Sequence, residues 1–259
     1  MAHDTASFDV LGKALHSTLT TGAYTLRYAD TPADLLALQT LRYQVFNVEL
    51  NDGLSQSVYS GLDADEFDRV FSHLLVEHVS TRQAVGTYRM QTGRHAALHL
   101  GYYCAREFDF APFEAHRAEV VELGRACIHA DHRSFAVLNL LWRGVADYAR
   151  AQRARYLLGC SSLTSQDEAL GAKAHRQLRA HWADPSLRTK PLPPFACALE
   201  IESPKAVRIP KLLSAYLALG GKICGPPAID REFKTVDFLT LVDLKSVAMF
   251  QRRGRFGVF

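Results

Sequence analysis

The chain has 259 residues, 48% of them hydrophobic, 22% charged and 10% aromatic. That apolar share excludes disorder as the main state. The longest apolar runs, near Ser134–Trp142 and Leu212–Gly221, fall well short of the roughly 20 residues a membrane-spanning helix needs. A net charge of +3 and a pI near 8.6 are too mild to argue for a nucleic-acid partner.

Residues 1–22 are weakly patterned and read as an N-terminal arm without the charged-then-apolar order of a secretory signal, so a cytoplasmic protein is expected. Tyr24–Tyr28 reads as a short strand. Thr31-Pro32-Ala33-Asp34 is a helix start: a Thr N-cap, proline in the first turn and an acid in capping-box position. Leu35, Leu38, Arg42, Val45, Phe46 and Glu49 then share one face at helical spacing, which puts an arginine and a glutamate on an apolar stripe. An acidic cluster, Asp63, Asp65, Glu66 and Asp68, precedes two strands, Ser72–Val79 and Ala84–Met90, that read as a hairpin. Ala118–Ile128 is a strand carrying Glu119, Glu122, Gly124 and Arg125. Ser134–Arg150 is a long helix with Val137, Leu138, Leu141, Val145 and Tyr148 as its apolar stripe. Arg155–Ser161 is a continuous apolar strand suited to a sheet centre. Beyond Pro191–Pro194 come a helix near Pro210–Leu219 and a last strand at Thr235–Leu244.

This order predicts an α/β fold with a mixed sheet and helices on both faces. One composite domain is expected over 23–245, with a basic-aromatic tail at 246–259. Five scattered cysteines, Cys104, Cys127, Cys160, Cys197 and Cys224, include no Cys-x-x-Cys pair and read as buried, reduced thiols. The histidine pairs His129/His132 and His95/His99 lack a third ligand at useful spacing, so no metal is expected.

In a regular strand Glu122 and Arg125 point to opposite faces. A bulge at Gly124 would bring both to one side and free a backbone N–H able to polarise an acyl carbonyl. Each feature taken alone has a plain explanation: an edge-strand ion pair for Glu122 and Arg125, a pair with Glu49 on the same helix for Arg42, and a solvated turn for Asp63–Asp68. Taken in order, Arg42 and Phe46, Asp65 and Asp68, Gly86-x-x-Arg89 and Glu122-x-x-Arg125 resemble the acid/arginine set of the acyl-homoserine-lactone autoinducer synthases, which have a GNAT-like fold. Longer blocks resemble a sister family, the ornithine-lipid N-acyltransferases often labelled hemolysins. They are Leu41–Phe46, Glu122–Cys127, Tyr156–Ser161 and the segment from Pro210 through Gly225-Pro226-Pro227 to Asp237-Phe238.

The resemblance spans about residues 24–245. It implies a GNAT-like, mostly antiparallel sheet and transfer of a 3-hydroxyacyl chain from acyl carrier protein to the α-amino group of ornithine, giving lyso-ornithine lipid. The amine attacks the thioester directly, and no cofactor is implied beyond the phosphopantetheine of the carrier. Glu122 is then the first choice for general base and Glu49 the second. Arg42, Arg89 and Arg125 offer bidentate partners for a substrate carboxylate or for internal acids. Asp65 and Asp68 are suited to ammonium groups, and Phe46 joins the substrate-binding set. Ile128–Ala136 has none of the glycines that cradle a CoA pyrophosphate, which favours a carrier-protein donor. Arg133, Arg143, Arg150 and Arg153 would meet that acidic partner.

Arg42→Ala and Glu122→Gln are expected to abolish transfer with the fold intact. The alternatives are glycine, lysine or glutamine as acceptor, an autoinducer-type synthase using S-adenosylmethionine, or a membrane-active hemolysin, which the hydropathy disfavours. The tail Gln251–Phe259, with three arginines, two phenylalanines and no acid, suits peripheral contact with an anionic membrane at the inner face.

Overall fold

The computed structural model describes residues 18–247. The chain opens with β1 (Leu19–Thr21) and β2 (Tyr24–Tyr28), a hairpin turned at Gly22. Part of the expected N-terminal arm is therefore a sheet strand. The rest of that arm, and the tail from residue 248, lie outside the described residues.

Thr31 caps α1 (Pro32–Tyr43) with the reciprocal bonds of a capping box: its hydroxyl accepts from Asp34 N–H, and the Asp34 carboxylate accepts from Thr31 N–H. The helix then widens into a π-helical stretch, Gln44–Glu49, before the short α2 (Ser57–Ser60). β3 (Ser72–His78) and β4 (Ala84–Thr92) form the expected hairpin. α3 (Gly93–Leu98) and a series of 3₁₀ turns lead to β5 (Val120–Ile128). α4 (Phe135–Ala151), β6 (Tyr156–Leu163) and α5 (Glu168–Gln177) follow. α6 (Lys211–Ala218), β7 (Lys222–Ile223), β8 (Ala228–Asp230) and β9 (Thr235–Asp243) close the domain. α3 and α5 are short and rich in alanine, glycine and histidine, with so little apolar stripe that the residue pattern does not mark them as helices.

The strands form one sheet in the order β1-β2-β3-β4-β5-β6-β9-β7, with β8 also on β9. Every pairing is antiparallel except β5 with β6. The sheet is thus mixed and mostly antiparallel. Alternation divides its two faces. Leu74, Val76, Tyr88, Met90, Val121 and Leu157 pack with Val137, Leu141 and Val145 of α4, fully buried. Each such side chain contributes about 1.5–3 kcal/mol. The opposite face carries His73, Arg89, Gln91 and Glu122, all buried and polar. That polar face holds the site.

Candidate active site

Where β5 and β6 run parallel, only three residue pairs are in register, Val120↔Tyr156 to Glu122↔Leu158. The strands then separate. Gly159 stands at the point of divergence, and a Cβ there would lie 2.3 Å from the carbonyl oxygen of Leu123, so only glycine permits this approach. The gap between the strands opens into a cavity of about 910 Å³. Its walls include Val45, Phe46, Leu138 and Leu141, the β5 residues Glu122–Ile128, the β6 residues Leu157–Ser162, and Leu212 and Tyr216 of α6. A largely apolar cavity of this size matches a ligand with a long hydrocarbon part.

β5 carries a bulge one residue later than expected. Thr87 pairs with Cys127 and Arg89 with Gly124, so Arg125 and Ala126 together oppose Tyr88. Arg125 itself takes the left-handed conformation (φ +49°). The extra residue shifts the alternation and turns Arg125 to the side of Glu122, where both meet Tyr103.

The arginines and acids singled out in the sequence pair with one another. Arg42 contacts Asp63 (2.9 Å) and Asp68 (2.6 Å). Arg89 contacts Asp68 (3.0 Å) and Asp65 (2.6 Å). Arg125 contacts Asp65 (3.0 Å) and Asp63 (3.3 Å). The result is a closed ring in which each arginine touches two aspartates and each aspartate two arginines, so the charges cancel. Aromatic faces flank it: the Arg89 guanidinium lies 4.7 Å from the Phe71 ring centre, and that of Arg125 lies 4.0 Å from Phe233. Burial pushes the Asp68 carboxyl up, but the charges of Arg42 and Arg89 outweigh it and hold the group well below the usual carboxylate range.

Several expectations change here. Arg42 is 0% exposed and cannot reach a ligand. Asp65 and Asp68 are engaged by arginines rather than open to ammonium groups. Asp63–Asp68 is no solvated turn, because Asp63 and Asp68 are buried. Only Arg89 and Arg125 of the ring line the cavity. Phe46 lines it as expected.

Glu122 is 1% exposed and lines the cavity. Its Oε2 accepts from Gln91 Nε2 (2.7 Å) and Tyr103 N–H (3.0 Å), and its Oε1 accepts from Cys104 N–H (2.8 Å). One acceptor position on Oε1 is left over. Burial pushes the carboxyl up, and the three donors, together with the Cys104 thiol beside them, partly offset this. Glu49 stands elsewhere. The π-helical turn rotates less per residue than an α-helix, which carries Glu49 out of register with Arg42. It forms a bidentate pair with Arg133 (2.6 and 2.7 Å) at the surface and does not line the cavity.

The four arginines proposed for a carrier protein do not form one surface. Arg133 lines the cavity, but Arg150 and Arg153 stand at the far end of α4, about 25 Å away along 17 residues. Arg143 is half-buried between them, and Arg150 pairs with Asp147 (2.7 Å). The histidine pairs assemble no ligand set. Among the described residues the group of ligand atoms close enough for a metal is Glu107, Cys160 and Asp237. The sequence reading missed Gln91, Tyr103, Glu107 and Asp237. An aspartate within the apolar run of β9 was the available signal for the last.

A mixed sheet whose one parallel pair splays over a cavity, with a buried glutamate at the point of divergence, defines an acyltransferase of the GNAT type. Residues 41–143 match the family model described as an acetyltransferase (GNAT) domain. The chain is 31% identical over 238 residues to an L-ornithine N(alpha)-acyltransferase of Rhodobacter capsulatus, covering 87% of this chain and 92% of that one. It is 30% identical over 250 residues to a protein of the same name from Brucella abortus, covering 88% and 86%. Among solved structures, the fold is similar to FeeM, an N-acyl amino acid synthase from uncultured soil microbes (TM-score 0.51, 11% identity, 88% of this chain and 97% of that one). The chain belongs to the L-ornithine N(alpha)-acyltransferase family.

Proposed function

We propose that this acyltransferase moves a long-chain 3-hydroxyacyl group from the phosphopantetheine of acyl carrier protein to the α-amino group of ornithine, giving lyso-ornithine lipid. The observation that carries the reading is the largely apolar cavity at the β5/β6 divergence, with Glu122 in its wall, in a chain about 30% identical to L-ornithine N(alpha)-acyltransferases. The hydrocarbon chain of the donor occupies the apolar walls. The thioester lies at the divergence, where backbone groups freed by the splay and by the Arg125 bulge polarise its carbonyl oxygen. Glu122 takes a proton from the ornithine α-ammonium through the open position on Oε1. The freed amine attacks the carbonyl carbon, the C–S bond breaks, and the second proton lost by the new amide nitrogen passes to the departing phosphopantetheine thiolate, while Glu122 returns its proton to solvent.

A carrier protein as donor is supported by the approach to α4. Ile128–Ala136 has no glycine, and Asp131 stands exposed beside the Ser134 cap where a pyrophosphate would lie. The single phosphate of phosphopantetheine needs only the N-terminus of α4, with Arg133 at the rim as the carrier's contact. The tail at 251–259 would hold the enzyme at an anionic bilayer that receives the product.

The test is a transfer assay with purified protein, read by mass spectrometry. 3-Hydroxyacyl-carrier protein and the matching acyl-CoA are each offered with ornithine, lysine, glycine and glutamine. The expected product is Nα-(3-hydroxyacyl)ornithine from the carrier-protein donor. Equal kcat/KM with acyl-CoA would overturn the donor assignment, and product on another amino acid alone would overturn the acceptor.

A further inference from the structure

Two sets of acids, one behind the cavity wall and one in it, stand in opposite electrostatic states. Asp63, Asp65 and Asp68 are matched charge for charge by arginines. Glu107 and Asp237 are each 4% exposed, line the cavity, and join none of the ion pairs found among the described residues. Oε2 of Glu107 and Oδ1 of Asp237 are buried without a donor from the surrounding residues, and the two carboxyl groups face each other closely enough to share a proton. Carboxylate oxygens of the two residues and the Cys160 sulfur lie within 4.8 Å of one another. Asp230 adds a third buried negative group, but its Oδ1 is occupied by the N–H groups of Glu232 (2.8 Å) and Phe233 (2.9 Å). Burial, followed by the charges of Asp237 and Asp230, pushes the Glu107 carboxyl well above its usual range, and burial pushes Asp237 to about 6. Two buried acids outside any ion pair, with Arg125 acting on Glu107 only from a distance, oppose folding, and an arriving cation would supply the missing partner.

The pair is well placed to meet an acceptor. Cys104 donates its backbone N–H to Glu122, and its sulfur lies 3.4 Å from that of Cys160, which adjoins the acids. Glu122 and the acid pair are thus joined by two apolar thiols, a lining suited to a short methylene chain. An ammonium group has three N–H donors for the two orphan oxygens and one further acceptor.

We propose that Glu107 and Asp237 form the subsite for the side-chain ammonium of the acceptor, so that this pair selects a diamino acid over a mono-amino acid. The assignment rests on the amino-acid acceptor read above and names the residues that distinguish it.

The test compares ornithine with norvaline, which has the same carbon skeleton but no side-chain amine, using one acyl-carrier protein. The wild type is expected to prefer ornithine by at least about 100-fold in kcat/KM. Asp237→Asn and Glu107→Gln are expected to bring that ratio close to one, through a rise in the KM for ornithine and with norvaline turnover retained. Both variants are expected to melt no lower than wild type, because each removes an unpaired buried acid; a residue kept for structure alone would move the other way.

A second measurement needs no turnover. 1,4-Diaminobutane should raise the melting temperature of the wild type and not that of Asp237→Asn. It keeps the subsite testable if neither amino acid is acylated, a result that would count against the acceptor reading alone. The subsite is overturned if the wild type uses norvaline as well as ornithine, if both variants keep the ornithine preference, or if zinc rather than the diamine shifts the melting temperature through Glu107 and Asp237.

Discussion

Arg42 and Arg125 share one carboxylate oxygen: their Nε atoms lie 2.9 and 3.3 Å from Asp63 Oδ1, joining α1 to the bulge of β5. Through this contact the helix that opens the domain helps hold the strand that carries the reactive groups. Arg89 and Arg125 are the members of the charge ring that reach the cavity, and the ring fixes Arg125, and with it Tyr103 and the cavity wall. Taking six charges out of water is costly, and the arrangement is favourable only while every partner is present.

Arg42→Ala should therefore act on stability first. It leaves Asp63 and Asp68 each with a single arginine in a buried setting, at a cost of about 3–5 kcal/mol. Urea denaturation followed by circular dichroism should show a clear fall in midpoint. This replaces the expectation of lost turnover with an intact fold, and an unchanged midpoint would contradict it.

Glu122→Gln should lower both turnover and stability. The amide must turn its NH₂ toward the Cys104 N–H or toward the Tyr103 N–H, so one buried backbone donor loses its acceptor. Assayed well below its melting temperature, the variant should still lose about 10²–10⁴-fold in kcat, the usual contribution of a positioned base. Near-wild-type kcat in the folded variant would remove Glu122 from the chemistry.

Gly159→Ala tests the divergence itself. The added methyl meets the Leu123 carbonyl oxygen at 2.3 Å, so β5 and β6 must move apart. The expected cost is about 1–3 kcal/mol, with a raised KM for the acyl donor, both readable from a melting curve and a donor titration. The same substitution at Gly124, where a Cβ meets nothing within 4 Å, is the control.

Stability should also depend on pH through His73, whose Nε2–H donates to the Asp68 carbonyl at 3.0 Å. Burial, with help from the Arg42 charge, lowers its pKa to about 4. Between about 6.5 and 4 the unfolded chain binds a proton that the folded chain refuses, so stability falls as pH drops through that window, by on the order of 3 kcal/mol. Asp68 and Asp65, held low by arginines, add a loss that begins below about 4. Glu107, Asp237 and Glu122 are shifted upward and contribute with the opposite sign, favouring the fold at low pH. His73→Gln isolates the histidine: the difference from wild type in urea midpoint should change between pH 6.5 and 4 and level off below. A constant difference would refute the assignment.

Much of the architecture was legible because its signals are local. The Thr31 cap, the β3/β4 hairpin, the apolar stripe of α4 and the apolar run of β6 each lie within one short window, and each is found where the residues indicate. The blocks around Arg42, Glu122, Tyr156 and Pro210 also carried the family, because residue order survives where spatial partners are unknown. The partners were decided by tertiary structure. A π-turn after Tyr43 and one extra residue at Arg125 each rotate the following side chains, sending Glu49 to the surface and bringing Arg125 beside Asp63. Neither shift leaves a mark on hydrophobic periodicity. Glu107 and Asp237 are remote along the chain and look unremarkable singly; β9 pairing with β6 sets Asp237 beside Cys160, and the 3₁₀ turn Cys104–Arg106 delivers Glu107 to the same buried place. Burial and charge pairing depend on all the groups around a residue, and those are gathered only when the sheet closes.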